Sequence, residues 1–464
     1  MSEHGLEKQP YPTNFLISDS ARDAVARRLG GVIRGAVLRP GDDGYDEQRR
    51  ALFPAIDPRP AMIVEAAEPA DVRAAVVAAR EYCLPFAVQA TGHGTYVPAD
   101  GGVLLKTAGM ASVLVDPGRA IARVGPGARW SQVIAAAAPF GLVPLSGSAP
   151  SVGVTGFTLG GGLGWLSRKY GFAADSVVRA EVVTADGRQV TATADRHPEL
   201  FWALRGGGGN FGVVTALEFR LHAVAHVYGG ISYFAADRAA ETIQRYREWA
   251  ADAPDDLSTA VLLTRVPDVP EMPETLRGRR TLAIKALYAG EAAGAERHLA
   301  PLRAAAGPAL VDGYRSMTYS QAAMGGTPAR YLDLLDELPE ALIDLTVDAA
   351  AGDDSPVSTV EIRHWGGAMG RTAEDAGPTG HRATPFSLII DGATPRLTEA
   401  LRPHGNGRSF LNFLSDPART ETAYTADNYR LLREVKKTYD PDNFFCINHN
   451  IPPAAGRTVE PFVG

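Results

Sequence analysis

Cysteine is scarce. Only Cys83 and Cys446 occur in 464 residues, and neither belongs to a CxxC pair, so a disulfide framework is excluded. Cys83, at a helix end with no cationic neighbour, reads as a buried structural thiol. No stretch approaches the ~18 consecutive apolar residues of a membrane span, and the first 30 residues lack the basic start and apolar run of a secretory signal. Positive charge is also short, with 46 Lys plus Arg against 53 Asp plus Glu and a formal net charge of -7. Both signs are interspersed, so no basic patch tracks phosphates and nucleic acid is not expected as a partner. The expectation is a cytoplasmic chain with no membrane partner. Several signatures are missing as well. There is no Gly-x-Ser-x-Gly elbow, no P-loop lysine and no Gly-x-Gly-x-x-Gly in a βαβ unit. His222 and His226 stand four apart without an HExxH context, so no metal site is expected.

Glycine, by contrast, is abundant. The 49 Gly and 33 Pro make about 18% of the chain, against a usual share near ~12%, and the excess is clustered in loops. A length of 464 residues predicts more than one folding unit. Residues 20 to 220 alternate helices and strands. Val72, Val76 and Ala79 recur at helical spacing over 70–82, Phe86–Gln89 and Val103–Leu105 read as strands, and a helix follows around Trp130–Ala138. Val178, Ala180 and Val182 alternate with polar residues before an Ala-Asp-Gly turn, which predicts a hairpin. Beyond about Leu221 the pattern changes to helices near 239–250 and 291–305 and strands at 260–264, 282–287, 359–365 and 385–390, with a loop at Pro267–Pro273. An antiparallel sheet backed by helices fits this half. A last helix lies around 428–437.

Four constellations stand out. Ser151–Gly164 holds six glycines within 12 residues and no charge, so its backbone can turn left-handed and present bare N–H groups to a pyrophosphate or simply pack tightly. Arg205–Thr215, with four successive glycines, repeats the theme; two such loops favour a long ligand such as a dinucleotide, neutralised by N–H dipoles. His93 sits between Gly92 and Gly94, where backbone can approach a planar ring. Near the C-terminus, Asn448 and Asn450 are spaced to line one face of a polar ligand.

These motifs, taken in order, carry a resemblance. They run Arg59-Pro60-Ala61, Ala70-Asp71-Val72, Thr91-Gly92-His93, Val152-Gly153-Val154-x-Gly156 with Leu159-Gly160-Gly161-Gly162-x-Gly164, Arg205 to Thr215, and Tyr439-Asp440-Pro441-x-Asn443-x-Phe445 with Asn448-x-Asn450-Ile451. The chain resembles the berberine bridge enzyme-like FAD-linked oxidases of the vanillyl-alcohol oxidase and p-cresol methylhydroxylase superfamily, over roughly residues 45–225 and 405–453. The resemblance implies an α+β fold: a p-cresol methylhydroxylase-type FAD-binding domain from 1–222, a substrate domain of antiparallel sheet backed by helices from 223–404, and a return to the first domain over 405–464.

It also implies FAD, carried through an 8α-histidyl bond to His93. The loop of Ala90, Thr91, Gly92, His93, Gly94 and Thr95 would hold the cofactor together with Val152, Gly153, Gly156, Leu159, Gly161, Gly162 and Gly164. Gly212 and Val213 would lie near the adenine end, and Asn448 and Asn450 near the isoalloxazine. Relatives often add a cysteinyl link from a Cys-Pro pair; here Ala149-Pro150 stands there, so a single attachment is expected. Relatives also carry tyrosines in a Tyr-x-Asn-Tyr segment, one serving as general base. This chain reads Phe410-Leu411-Asn412-Phe413, and a phenyl ring takes no proton. Replacement candidates are Tyr96 and Arg363, the latter with Glu361 on one strand face, while Asn412 could orient substrate; His381 and Tyr424 are further candidates. The expected reaction is hydride transfer from a small amine, alcohol or sugar-like molecule to flavin, with O2 as acceptor. A dehydrogenase using another acceptor, or a flavin-binding protein without oxidase chemistry, are the alternatives.

Overall fold

The computed structural model describes residues 19–455 apart from 323, 353 and 372–375. Most of the segment on which the absence of a signal sequence rests lies outside the described residues. Helices mix with sheets that are mostly antiparallel, as an α+β fold requires.

The first half carries two sheets. Four strands lie in the order Ala36–Leu38, Met62–Glu65, Val103–Lys106, Phe86–Gln89, the last three parallel. The helix Pro69–Glu81 makes the crossover. Pro69 at its first turn needs no N–H partner, and its stripe of Val72, Ala75, Val76 and Ala79 is fully buried. Each buried valine contributes about 1.5–3 kcal/mol of transfer free energy. The chain after this helix corrects one expectation. Cys83 adopts φ 53, which turns Leu84 into the core and leaves the Cys83 side chain exposed rather than buried. The second sheet, antiparallel, runs Val113–Asp116, Ile121–Val124, Val213–Arg220, Val177–Val183, Gln189–Ala192; the last two form the expected hairpin.

The middle of the chain builds one eight-stranded antiparallel sheet. Its long strands run in the order Val227–Ala235, Arg280–Tyr288, Leu257–Arg265, Thr359–His364, Phe386–Asp391 and, at the edge, Tyr331–Leu335. One face packs Val261, Leu263, Ile284, Val360 and Ile362 against the helices Ala239–Ala250, Ala292–Ala306, Glu340–Ala350 and Pro395–Leu401. The other face sets Ala260, Leu262, Ala283 and Leu287 against Val143, Leu145 and Trp165 of the first half. Sequence pattern missed Val227–Ala235 and Tyr331–Leu335, which are mostly buried and show no clean alternation, and also Glu340–Ala350, although its Leu342, Ile343, Thr346 and Ala350 form a buried stripe at helical spacing.

Arg168 ties the halves together. Its guanidinium is almost wholly buried and donates to the carbonyls of Leu257 (2.8 Å), Ala253 (2.9 Å) and Trp365. The chain then returns. The helix Ala426–Tyr439 sends Leu432 and Val435 into the core around Trp130 and Phe211, and residues 440–451 run back across the second glycine cluster. Lys436 fixes this return: its ammonium, with no exposed surface, donates to Asn210 O (2.8 Å), Asp440 Oδ2 (2.7 Å) and Phe445 O (3.0 Å). Asp440 in turn accepts the N–H groups of Phe444 (2.7 Å) and Phe445 (2.8 Å).

Candidate active site

A cavity of about 430 Å³ opens where the two glycine clusters, the C-terminal return and the inner sheet face meet. That size is in the range of ligand sites. One wall begins as the strand Phe86–Gln89 breaks into the loop at Gly92, whose φ of 82 suits only glycine without strain. Gln89 holds this loop from beneath: its Nε2 donates to Thr95 Oγ1 (3.1 Å) and its Oε1 accepts from Lys106 (2.6 Å). Ala90, Thr91, Gly92, His93, Gly94 and Thr95 all face the cavity. His93 is half-buried, with Nδ1 2.9 Å from Thr91 Oγ1 and Nε2 3.5 Å from Ser151 Oγ. Burial, and then the nearby Arg129, hold its pKa below the ordinary value, so the ring is neutral at neutral pH.

The first glycine cluster divides. Val152, Gly153, Gly156 and Leu159 line the cavity, and a side chain at Gly156 would meet no atom within 4 Å. Gly161, Gly162 and Gly164 do not line it, contrary to expectation. They permit close packing instead: a Cβ at Gly164 would fall 2.2 Å from the Ser146 carbonyl, at Gly162 2.6 Å from Ala173, and at Gly161 3.0 Å from Phe410. Gly212 and Val213 line the cavity, as does Asn448; Asn450 does not. Asn210, unforeseen from sequence, stitches the second cluster to the return. Its Nδ2 donates to His449 O (3.0 Å) and its Oδ1 accepts from Ile451 N (2.9 Å).

Tyr96, Arg363 and Asn412 all reach the cavity, but in different roles. Tyr96 lies between Phe53 (centroids 5.6 Å apart) and the edge of His449 (5.5 Å). Burial raises its pKa, only partly offset by Arg330, so the phenol stays protonated and is a hydrogen-bond donor rather than a standing base. Asn412 spends its amide on the glycine loop: Oδ1 accepts from Gly162 N (2.8 Å) and Nδ2 donates to Phe157 O (2.9 Å). It therefore positions the loop, where substrate orientation was expected. Phe413 faces the cavity, whereas Phe410 is buried against Phe172 and Trp365. His381 and Tyr424 are structural. His381 pairs with Thr422 O (2.9 Å) and Tyr424 donates to Gly206 O (3.0 Å), both away from the cavity.

The end of the cavity formed by the large sheet is charged. Glu361 and Arg363, two apart on the strand Thr359–His364, both line it. Arg363 Nε and Nη2 donate to Glu361 Oε1 at 3.0 and 2.9 Å, and its guanidinium lies 4.5 Å from the Trp165 ring centroid. Thr327 donates to Glu361 Oε2 (2.6 Å), with the Lys285 ammonium 4.0 Å away. Burial pushes the Glu361 pKa up, but Arg363, Lys285 and the hydrogen bonds outweigh it, and the carboxylate stays ionised. Lys285 and Thr327 escaped sequence reasoning. The signal for Lys285 was a lone cation inside the apolar strand Leu282–Leu287; Thr327, on a loop, had none.

The residues fit a long, polar, planar cofactor. Thr155 and Asn448 line the cavity with Oγ1 and Oδ1 buried and unpartnered, and Gly94 and Gly156 leave open space beside bare backbone. Buried polar atoms of this kind call for a ligand's donors. Among the described residues no cluster of His, Cys, Asp and Glu is arranged to hold a metal, and no helix is long and apolar enough to cross a membrane.

Comparison with known proteins gives concordant results. Residues 60–193 match the FAD binding domain family and residues 409–452 the berberine and berberine-like family. The (R)-6-hydroxynicotine oxidase of Paenarthrobacter nicotinovorans is 28% identical over 91% of this chain and 97% of its own. The crystal structure of 6-hydroxy-D-nicotine oxidase from Arthrobacter nicotinovorans superposes with a TM-score of 0.78 and 26% identity, covering 91% of this chain and 98% of that one. Glucooligosaccharide oxidase from Acremonium strictum, described with a 6-S-cysteinyl, 8α-N1-histidyl FAD, shares the fold with a TM-score of 0.80, 19% identity, and coverage of 93% and 100%.

Proposed function

Starting from the premise that this chain is an FAD-dependent oxidoreductase of the berberine bridge enzyme-like family, we propose that it is an oxidase with one covalent flavin bond, through His93. The observation that carries the proposal is a neutral His93 ring on the wall of the same cavity as both glycine clusters. An unprotonated imidazole has a lone pair with which to bond the flavin. Ala149 also lines the cavity, and its methyl group offers no thiol for a second bond. FAD when bound accepts a hydride from a substrate C–H and passes two electrons to O2, giving H2O2.

The chain's own residues position, shield and polarise. The loop 90–95 and the backbone at Gly153 and Gly156 hold the cofactor, Asn412 fixes the loop's far side, and Phe413 and Tyr96 exclude water. Tyr96 donates a hydrogen bond to the substrate heteroatom. Glu361 has its oxygens occupied and Tyr96 is protonated, so neither is a ready base. The reading is hydride loss without protein base assistance, as from a carbon beside a neutral amine nitrogen. The same proposal places the protein in the cytoplasm, where the exposed Cys83 thiol stays reduced; cell fractionation tests that part.

The central experiment is acid precipitation of the purified protein. Flavin should stay in the pellet, and His93→Ala should release it to the supernatant while the circular dichroism is retained. Complete release from the native protein defeats the covalent bond; absence of any flavin spectrum defeats the whole reading. Oxygen uptake with H2O2 formation tests the acceptor.

A further inference from the structure

The charged end of the cavity points to a substrate class. Arg363, Glu361 and Lys285 lie on the same face of the large sheet. Register places Lys285 opposite Ala260 and Ala260 opposite Arg363, so the two cations share one row across three strands. Two cationic side chains thus flank one carboxylate, with burial and then Arg363 lowering the Lys285 pKa and Glu361 opposing that shift. Glu361 is satisfied by protein: Arg363 takes Oε1, Thr327 takes Oε2, and no surface of its side chain is exposed. The cations are less fully used. Arg363 spends Nε and Nη2 on a single carboxylate oxygen, which leaves its Nη1 edge to donate. Lys285 is buried with its nearest recorded acceptors Gly325 O at 3.3 Å and Glu361 at 4.0 Å, both longer than a good ammonium bond. Trp165 covers one face of the Arg363 guanidinium. Of the other titratable groups lining the cavity, His93 and His449 have lowered pKa values and Tyr96 a raised one, so none brings charge at neutral pH.

We propose that Arg363, backed by Lys285, is a specificity-determining anchor for a carboxylate on the substrate, and that the cavity discriminates against a cationic group at that end. This deepens the oxidase reading and rests on it. A buried net positive charge attracts an anion and repels an ammonium, because desolvation removes the screening that water gives. The planar guanidinium edge presents the fork that suits a carboxylate. The oxidised carbon lies elsewhere on the substrate, so an amine or alcohol carrying an acid group satisfies both requirements.

The test uses three probes of one shape and different charge: benzoate, benzyl alcohol and benzylamine. Each is titrated anaerobically into the flavin-loaded protein and read by perturbation of the flavin spectrum. Benzoate should bind in a saturable way and most tightly. Arg363→Gln should weaken benzoate by about 10–100-fold, the range of a lost charge-assisted hydrogen bond, with flavin content unchanged and benzyl alcohol affected less than about threefold. Since Arg363→Gln strands Glu361, the double variant E361Q/R363Q, which removes both charges, and Lys285→Met are measured beside it. Each should also weaken benzoate selectively. Benzylamine binding as tightly as benzoate, no saturable benzoate response, or unchanged benzoate affinity in all three variants overturns the proposal. A protein that takes up no flavin at all instead overturns the oxidase reading itself, so the two failures are distinguishable.

Discussion

Replacing Lys436 by methionine tests how the cofactor wall is held. Methionine keeps most of the side-chain volume and removes the charge. Three donors vanish, leaving the Asn210 and Phe445 carbonyls short of partners and the Asp440 carboxylate without its cation. Asp440 retains two backbone N–H bonds but no exposed surface over which water could solvate it. Breaking one side of a buried pair costs about 3–5 kcal/mol. Urea unfolding, followed by circular dichroism and by flavin fluorescence, should show a loss of about 4 kcal/mol, with the flavin becoming solvent-exposed at lower urea than the bulk signal changes. That order follows because Asn210 and Phe445 both line the cavity. Asp440→Asn alone should cost a similar amount, and the double variant less than the sum by at least ~1–2 kcal/mol, since a coupled pair is removed once. A Lys436→Met protein within about 1 kcal/mol of the native one, or strict additivity in the cycle, refutes the reasoning.

Other outcomes are expected. Gly164→Ala should destabilise by at least about 1–3 kcal/mol, because its methyl would meet the Ser146 carbonyl at 2.2 Å, whereas Gly156→Ala should fold normally and take up flavin less well; thermal melts and flavin occupancy separate them. Stability should fall as pH drops through the window from 6.5 to about 4. His222 is held near 4, mainly by burial, so below 6.5 the unfolded chain binds the extra proton and up to ~3 kcal/mol is lost; His222→Asn should flatten that part of the urea-midpoint profile. Ala149→Cys should yield a second flavin-linked peptide by mass spectrometry, and no cross-link would mean that the loop lies too far from the ring. Tyr96→Phe should lower kcat/KM by less than about tenfold, as for a positioning bond of ~1.4 kcal/mol; a larger loss with the basic limb of the pH profile abolished would restore Tyr96 as a base.

Much of the site was legible because its motifs are local. Thr91-Gly92-His93, the glycine clusters and Asn448 each sit on short segments whose composition announces unusual backbone, and these line the cavity. What sequence could not separate was glycine that faces a ligand from glycine that faces protein. Gly156 and Gly164 look alike in a string, yet only the positions of Ser146, Ala173 and Phe410 decide which is free. The same limit explains Asn412, whose partners lie some 250 residues away. Glu361 and Arg363 were legible as a same-face pair by strand alternation, but Lys285 joins them through a register that alternation alone does not give. The eight-stranded sheet was read only in part, because strands such as Val227–Ala235 lie between others and lose their polar face.

The return of the C-terminal segment has a consequence for how the protein is made. His93 and the first glycine cluster leave the ribosome early, yet Asn448 and His449, which close the same cavity, are among the last described residues synthesised. Contacts of such sequence separation form late and slowly, because the intervening loop must be closed first. The nascent chain therefore exposes an unfinished cavity during most of translation. Flavin capture belongs after residues 436–449 have been made, once Lys436 and Asp440 have locked the return into place, and premature termination anywhere in the large sheet would leave a product able to form its first sheets but not to complete its cofactor cavity.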